Sequence, residues 1–165
     1  MMKWIGIAIL VAICSLIGMV RAWSLLKTVS LLEEFALSLQ RLKVEIAFSA
    51  TPLSIAVKRV SGKELAAFWT CFAQMLENGK QVKEAWEDTA DMLGPIKDST
   101  VRGIFDGLFS GLGKSDRTTQ CKRIEETLCA LAPEIQKAKL EAAQKGKVVR
   151  TLGVLGGIAI VIILI

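Results

Sequence analysis

At 165 residues the chain is long enough for one domain with a modest core, and 52% hydrophobic residues with a mean hydropathy of +0.46 is more than a soluble domain of that size needs, so part of it is expected in a membrane. The net charge of +5 raises nucleic acid as a partner, but the excess is concentrated in Lys137, Lys139, Lys145, Lys147 and Arg150, opposed only by Glu141. Anionic lipid accounts for that juxtamembrane cluster, and without aromatic residues interleaved in a basic stripe no nucleic acid is expected.

Residues 4–20, WIGIAILVAICSLIGMV, hold no charged side chain and as a helix reach about 26 Å, close to a hydrocarbon core of about 30 Å. Lys3 before an apolar run also suits a cleaved signal peptide, but Arg21 and Trp23 interrupt the small-residue pattern that cleavage needs. The segment is read as an uncleaved anchor, with Trp4 and Trp23 as its interfacial aromatics. A second apolar run closes the chain at 148–165, about 27 Å as a helix, with Arg150 free to snorkel. Arg21, Lys27 and the five basic residues of 137–150 flank the central region, against Lys3 outside it, which predicts a cytoplasmic centre. The expected organisation is an anchor over 1–21, a cytoplasmic bundle over 22–147 and an anchor over 148–165.

Between the anchors only helical spacing recurs. The first helix places Leu25, Leu32, Phe35, Leu39, Leu42 and Ile46 on one face, continues out of the anchor, and ends by Ala50–Pro52. Thr51 as cap and Pro52 at the first helical position start a short second helix with Leu53, Val57 and Val60 inward. A third, about 63–78, presents Leu65, Phe68, Trp69, Phe72, Met75 and Leu76, and Asn78–Gly79 closes it. A fourth, about 81–93, presents Val82, Ala85, Trp86, Thr89 and Leu93 before Gly94–Pro95. A fifth, capped by Ser99, carries Val101, Ile104, Phe105, Leu108 and Leu112. A sixth buries Cys121, Ile124, Leu128 and Leu131, and Pro133 kinks or interrupts it before the second anchor. Loops of two to five residues make this an all-α antiparallel bundle of about six helices flanked by two transmembrane helices. Trp69 and Trp86 are expected in its core. Cys71, Cys121 and Cys129 fall on apolar positions and read as buried reduced thiols, with Cys14 in lipid.

Gly113–Lys114–Ser115 ends like a phosphate-binding loop, yet that pattern requires glycine at 108, where Leu108 stands, and a strand before it, where the spacing is helical. Gly113 instead ends the fifth helix in a left-handed conformation, and Ser115 or Asp116 caps the sixth. Histidine is absent, which removes the commonest general base and metal ligand. No serine or cysteine has a base in a recognisable arrangement, and Glu33–Glu34 and Glu125–Glu126 read as solvated helix faces. No catalytic residue, cofactor or metal is therefore expected. The contrary reading is a membrane-bound nucleotide-binding regulator using Lys114. A third is a membrane hairpin that forms a homo-oligomer through Gly153 and Gly157, whose spacing lets helices approach closely.

The segment GLFSGLGKSDRTTQCKRIEETL resembles the signature of the stage III sporulation protein AB family, with Gly113, Ser115, Asp116 and Gln120 in matching places after Leu112. Thr51–Pro52–Leu53, the set Gly79, Ala85 and Trp86, and the terminal TLGVLGGIAIVIILI are similar to further segments of that family, in the same order. The resemblance implies a membrane component of the mother cell in endospore-forming bacteria, part of the channel apparatus between mother cell and forespore. It further implies a helical domain similar to the cytoplasmic domains of type II secretion and type IV pilus platform proteins, which are non-enzymatic and dock a secretion ATPase. The implied partners are the membrane, the sporulation ATPase and other channel subunits. The motif residues Gly113, Ser115, Asp116, Gln120, Thr51, Pro52, Gly79 and Trp86 are then the positions to examine.

Overall fold

The computed structural model describes residues 2–49, 52–60, 62–94 and 98–164, and of these the side chains of 23–144. The elements are α1 (Met2–Phe48), α2 (Leu53–Arg59), α3 (Ala66–Glu77), α4 (Val82–Thr89), continued as one 3₁₀ turn (Ala90–Leu93), α5 (Ser99–Gly111) and α6 (Arg117–Leu164). Among the described residues there is no strand. The described residues form the expected all-α class with six α-helices, and the first and last helices run without a break into the apolar ends. Among the residues whose side chains are described, within 23–144, no helix is long and apolar enough to cross a membrane. The two segments read as anchors, 4–20 and 148–165, lie outside the described side chains, as do Trp4 and Cys14.

The chain divides into two compact units. One comprises residues 1–29 and 137–165, and the other Ser30–Gln136. The second is the bundle, and Phe35 of α1 is at its centre. The Phe35 ring meets Phe68 and Trp69 of α3 at 5.8 and 5.2 Å and Phe105 and Phe109 of α5 at 4.3 and 6.4 Å. Rings at these separations add to the burial of their area. Leu32, Phe35, Leu39, Leu42 and Ile46 are all buried as their spacing predicts, and so are Val57, Val60, Trp69, Trp86, Leu108 and Leu112. Phe109, which the spacing of α5 did not single out, is fully buried and stacks on Trp86 at 4.5 Å. Lys43 of α1 pairs with Glu125 of α6, and Cys121 Sγ donates to the Lys43 carbonyl at 3.8 Å.

Several expected boundaries move for local reasons. Pro52 is the residue before α2 rather than its first helical position, its carbonyl accepting from Ile55 and Ala56 N–H; the capping role assigned to Thr51 lies outside the described residues. The cap of α5 is Asp98, which accepts from Thr100 N–H at 2.8 Å, not Ser99. Residues 63–65 bend instead of opening α3. Their free N–H groups are met by Glu34 of α1, which accepts from Glu64 and Leu65 at 3.0 Å, so Glu34 is no mere solvated face. Pro133 does not interrupt α6. Pro133 has no N–H to donate to the Cys129 carbonyl, and both residues are exposed, which lets solvent take the place of that donor. Cys129 is accordingly exposed, not buried, while Cys71 and Cys121 are half-buried.

Candidate functional site

The segment that carries the strongest sequence motif is the corner between α5 and α6. Leu112 closes α5 in an extended conformation and is buried, its N–H donating to the Leu108 carbonyl at 3.1 Å. Gly113 follows with φ +81°, the left-handed turn that glycine adopts at no steric cost. A Cβ built there would meet Val82 Cγ2 at 3.2 Å and Leu53 Cδ2 at 3.5 Å. The corner thus rests on the first residues of α2 and α4, and three of the sequence motifs meet at one end of the bundle. That convergence was not readable from their positions along the chain.

Asp116 caps α6. Its carboxylate accepts from Thr119 N–H at 3.2 Å and from the Thr119 hydroxyl at 2.7 Å. The hydroxyl bond first, and then the backbone bond, hold the Asp116 carboxyl below the usual carboxylate range. Gln120 Nε2 donates to the Ser115 carbonyl at 2.6 Å, so Asp116 and Gln120 clasp the turn from both sides of the α6 N-terminus. Ser115 Oγ is enclosed without a hydrogen-bond partner, whereas Lys114 and Arg117 are exposed. The position at the α6 N-terminus that an incoming phosphate would need is filled by the protein's own carboxylate, and α5, not a strand, precedes the turn.

The remaining motif residues occupy structural places. Gly79, φ +82°, ends α3. Gly79 N–H donates to Leu76 and Lys80 N–H to Met75, both at 3.1 Å, which is the Schellman closure of a helix. Trp86 is buried, and its Nε1 donates to Asp106 Oδ1 at 2.6 Å, tying α4 to α5. The packing role assigned to Gly153 and Gly157 lies outside the described side chains. Among the described residues no group of three or more Cys, Asp or Glu converges as a metal site.

A second surface was not singled out from the sequence. On α1, opposite the core face, Leu37, Val44 and Phe48 are 52%, 55% and 86% exposed. Leu37 and Val44, with Gln40, Arg41 and Glu45 and with Arg59 and Val60 at the end of α2, line an open groove of about 380 Å³. Glu45 pairs with Arg59 at 3.2 Å. The signal was available as steps of seven and four residues offset from the buried stripe, but a stripe of three apolar residues beside a longer one reads as ordinary surface.

The geometry can be set beside known proteins. Residues 3–165 match the family model described as Stage III sporulation protein AB. The chain belongs to the stage III sporulation protein AB family. It is 27% identical over 173 residues to Stage III sporulation protein AB of Bacillus subtilis (strain 168), covering 99% of both chains. A solved structure of Stage III sporulation protein AB is similar with a TM-score of 0.59 at 22% identity, over 67% of this chain and 91% of that one, a likeness in fold. The protein is thus a member of a sporulation family, with the helical domain that its spacing predicts.

Proposed function

We propose that the chain is a non-enzymatic platform of the sporulation channel apparatus, held in the mother-cell membrane by the apolar segments 4–20 and 148–165 with its bundle on the cytoplasmic side. There it docks a secretion-type ATPase and neighbouring channel subunits. Its mechanism is positioning rather than bond chemistry. The observation that carries the docking is the bare apolar face of α1: Leu37, Val44 and Phe48 beside a groove with arginines on its rim. Exposed apolar side chains gathered on one helix beside a groove suit a partner's amphipathic helix. The family match over nearly the whole chain supports the setting. The corner, with Lys114 and Arg117 exposed over a rigid turn, is a second polar contact for the same complex.

The full chain, purified in detergent, is expected to retain the sporulation ATPase. Val44→Glu, which places a charge in the groove without touching the core, should weaken retention by about tenfold or more, the scale of an interface hot spot. No retention by the unsubstituted chain, with and without nucleotide, would remove docking as its function. Equal retention by Val44→Glu would move the contact to another face.

A further inference from the structure

Just beyond the first apolar segment, α1 carries two large apolar side chains that are exposed on the protein surface. Trp23 is 70% and Leu26 59% exposed, with Lys27 exposed beside them. Steps of three and four residues put the three on one helix face, and with Ser24 they line an open concavity of about 380 Å³. The helix rise places Trp23 about 4–5 Å past Val20 and Lys27 about 10 Å past it. The interfacial layer outside the hydrocarbon core is about 5–8 Å deep on each side. Helical side chains lean toward the helix N-terminus, here toward the apolar segment. The long Lys27 stem therefore brings its ammonium back to the level of the phosphates.

The local charge is predominantly positive. The first acidic residue of the chain is Glu33, so residues 1–32 carry Lys3, Arg21 and Lys27 and no carboxylate side chain. In the same compact unit, residues 137–150 contribute five basic residues and one acid, Glu141. A helical partner would find one apolar step of three residues here and no continuing stripe, whereas a lipid needs only the indole, the leucine and one ammonium.

We propose that Trp23, Leu26 and Lys27 form a phospholipid headgroup site, the two apolar side chains at the glycerol and upper acyl level and the Lys27 ammonium on the phosphate, with a preference for anionic lipid. The proposal rests on the reading of 4–20 as a membrane span. It goes beyond anchoring, because it names the lipid class in which the protein seats itself.

The test uses the full chain with Trp4→Phe in phosphatidylcholine nanodiscs that contain, at equal fractions, either brominated phosphatidylglycerol or brominated phosphatidylcholine. Trp69 and Trp86 are buried, and a matched Trp23→Phe chain supplies their background. Trp23 emission should be quenched by both lipids, and by the anionic one about fivefold more effectively, with Lys27→Gln bringing that ratio toward one. Equal quenching by the two lipids in the Trp4→Phe chain with Lys27 intact overturns the preference. Emission untouched by either, as when protein covers Trp23, overturns the site while leaving the span intact. Failure of the chain to enter nanodiscs of either composition overturns the span and the proposal with it.

Discussion

Gly113 is constrained on two independent grounds, its φ of +81° and the nearness of Val82 and Leu53 to the place of a Cβ. A residue with a Cβ loses about 1–2 kcal/mol in a left-handed conformation, and the contact at 3.2 Å requires Val82 to move as well. Gly113→Ala is therefore expected to lower the unfolding free energy by about 1–2 kcal/mol or slightly more, measured by denaturant titration of the full chain in detergent. A change below the error of that titration would mean that the corner relaxes freely. Asp116 adds a dependence on pH at the same corner. Because bonds from Thr119 lower its folded pKa, its contribution is present above the unfolded carboxylate pKa and is lost as pH falls through the lowered folded value. Asp116→Asn keeps a capping oxygen but not the charge. The stability difference between the two chains should shrink on acidification through the carboxylate range; a difference independent of pH would refute the assignment.

At the scale of elements, the N-terminus of α3 is held by a residue of another helix. Glu34 accepts from Glu64 and Leu65 N–H, and Gly62 lets it approach, since a Cβ there would lie only 2.7 Å from Glu34 Cδ. Glu34→Ala removes the acceptor, and Gly62→Ala displaces it, so each is expected to cost about 1 kcal/mol, as for loss of a cap. Both act on one set of hydrogen bonds, so the double variant should cost about as much as one alone. Additive losses in a double-mutant cycle would show that Gly62 acts for another reason. This contact also marks where sequence reading stops. The core faces of α1 and α3 were legible because Leu32, Phe35, Leu39 and Phe68, Trp69, Phe72 repeat at helical spacing, and the turn at Gly113 because a glycine precedes a capping aspartate. A cap supplied from thirty residues away has no local signature, and Phe109 was hidden beside Leu108, which satisfied the periodicity alone. That Pro133 leaves α6 uninterrupted was not legible, because its cost depends on the surroundings of its carbonyl partner, a property of the folded surface. Of the candidate site, the motif residues were legible and their convergence was not: Leu53, Val82 and Gly113 come together only through the packing of α2 and α4.

At the scale of the whole bundle, stability is concentrated in one aromatic cluster that α1, α3, α4 and α5 share, with Phe35 touching four other rings and Trp86 stacked on Phe109. Removing a fully buried ring forfeits its transfer free energy and leaves a cavity, about 3–5 kcal/mol for Phe→Ala. Domains of this size hold only about 5–15 kcal/mol in total. Phe35→Ala is therefore expected to leave the bundle at the edge of folding, and Phe35→Leu, which refills most of the volume, to recover a large part of the loss. The buried indoles of Trp69 and Trp86 report the core directly, so tryptophan emission during denaturant unfolding of the full chain follows the event. If the cluster organises the bundle, emission and helix content should fall together, with the midpoint shifted far down for Phe35→Ala. A loss of less than about 1 kcal/mol would place the organising contacts elsewhere, because a ring in that many contacts cannot be removed cheaply from a rigid core. Rigidity here bears on the proposed function: a platform would position its partners only as well as the helices carrying the proposed docking face are fixed, and Phe35 anchors α1 from the side opposite Leu37 and Val44. Docking should then weaken in Phe35→Ala in proportion to its unfolded fraction, while Val44→Glu weakens it with the fold intact.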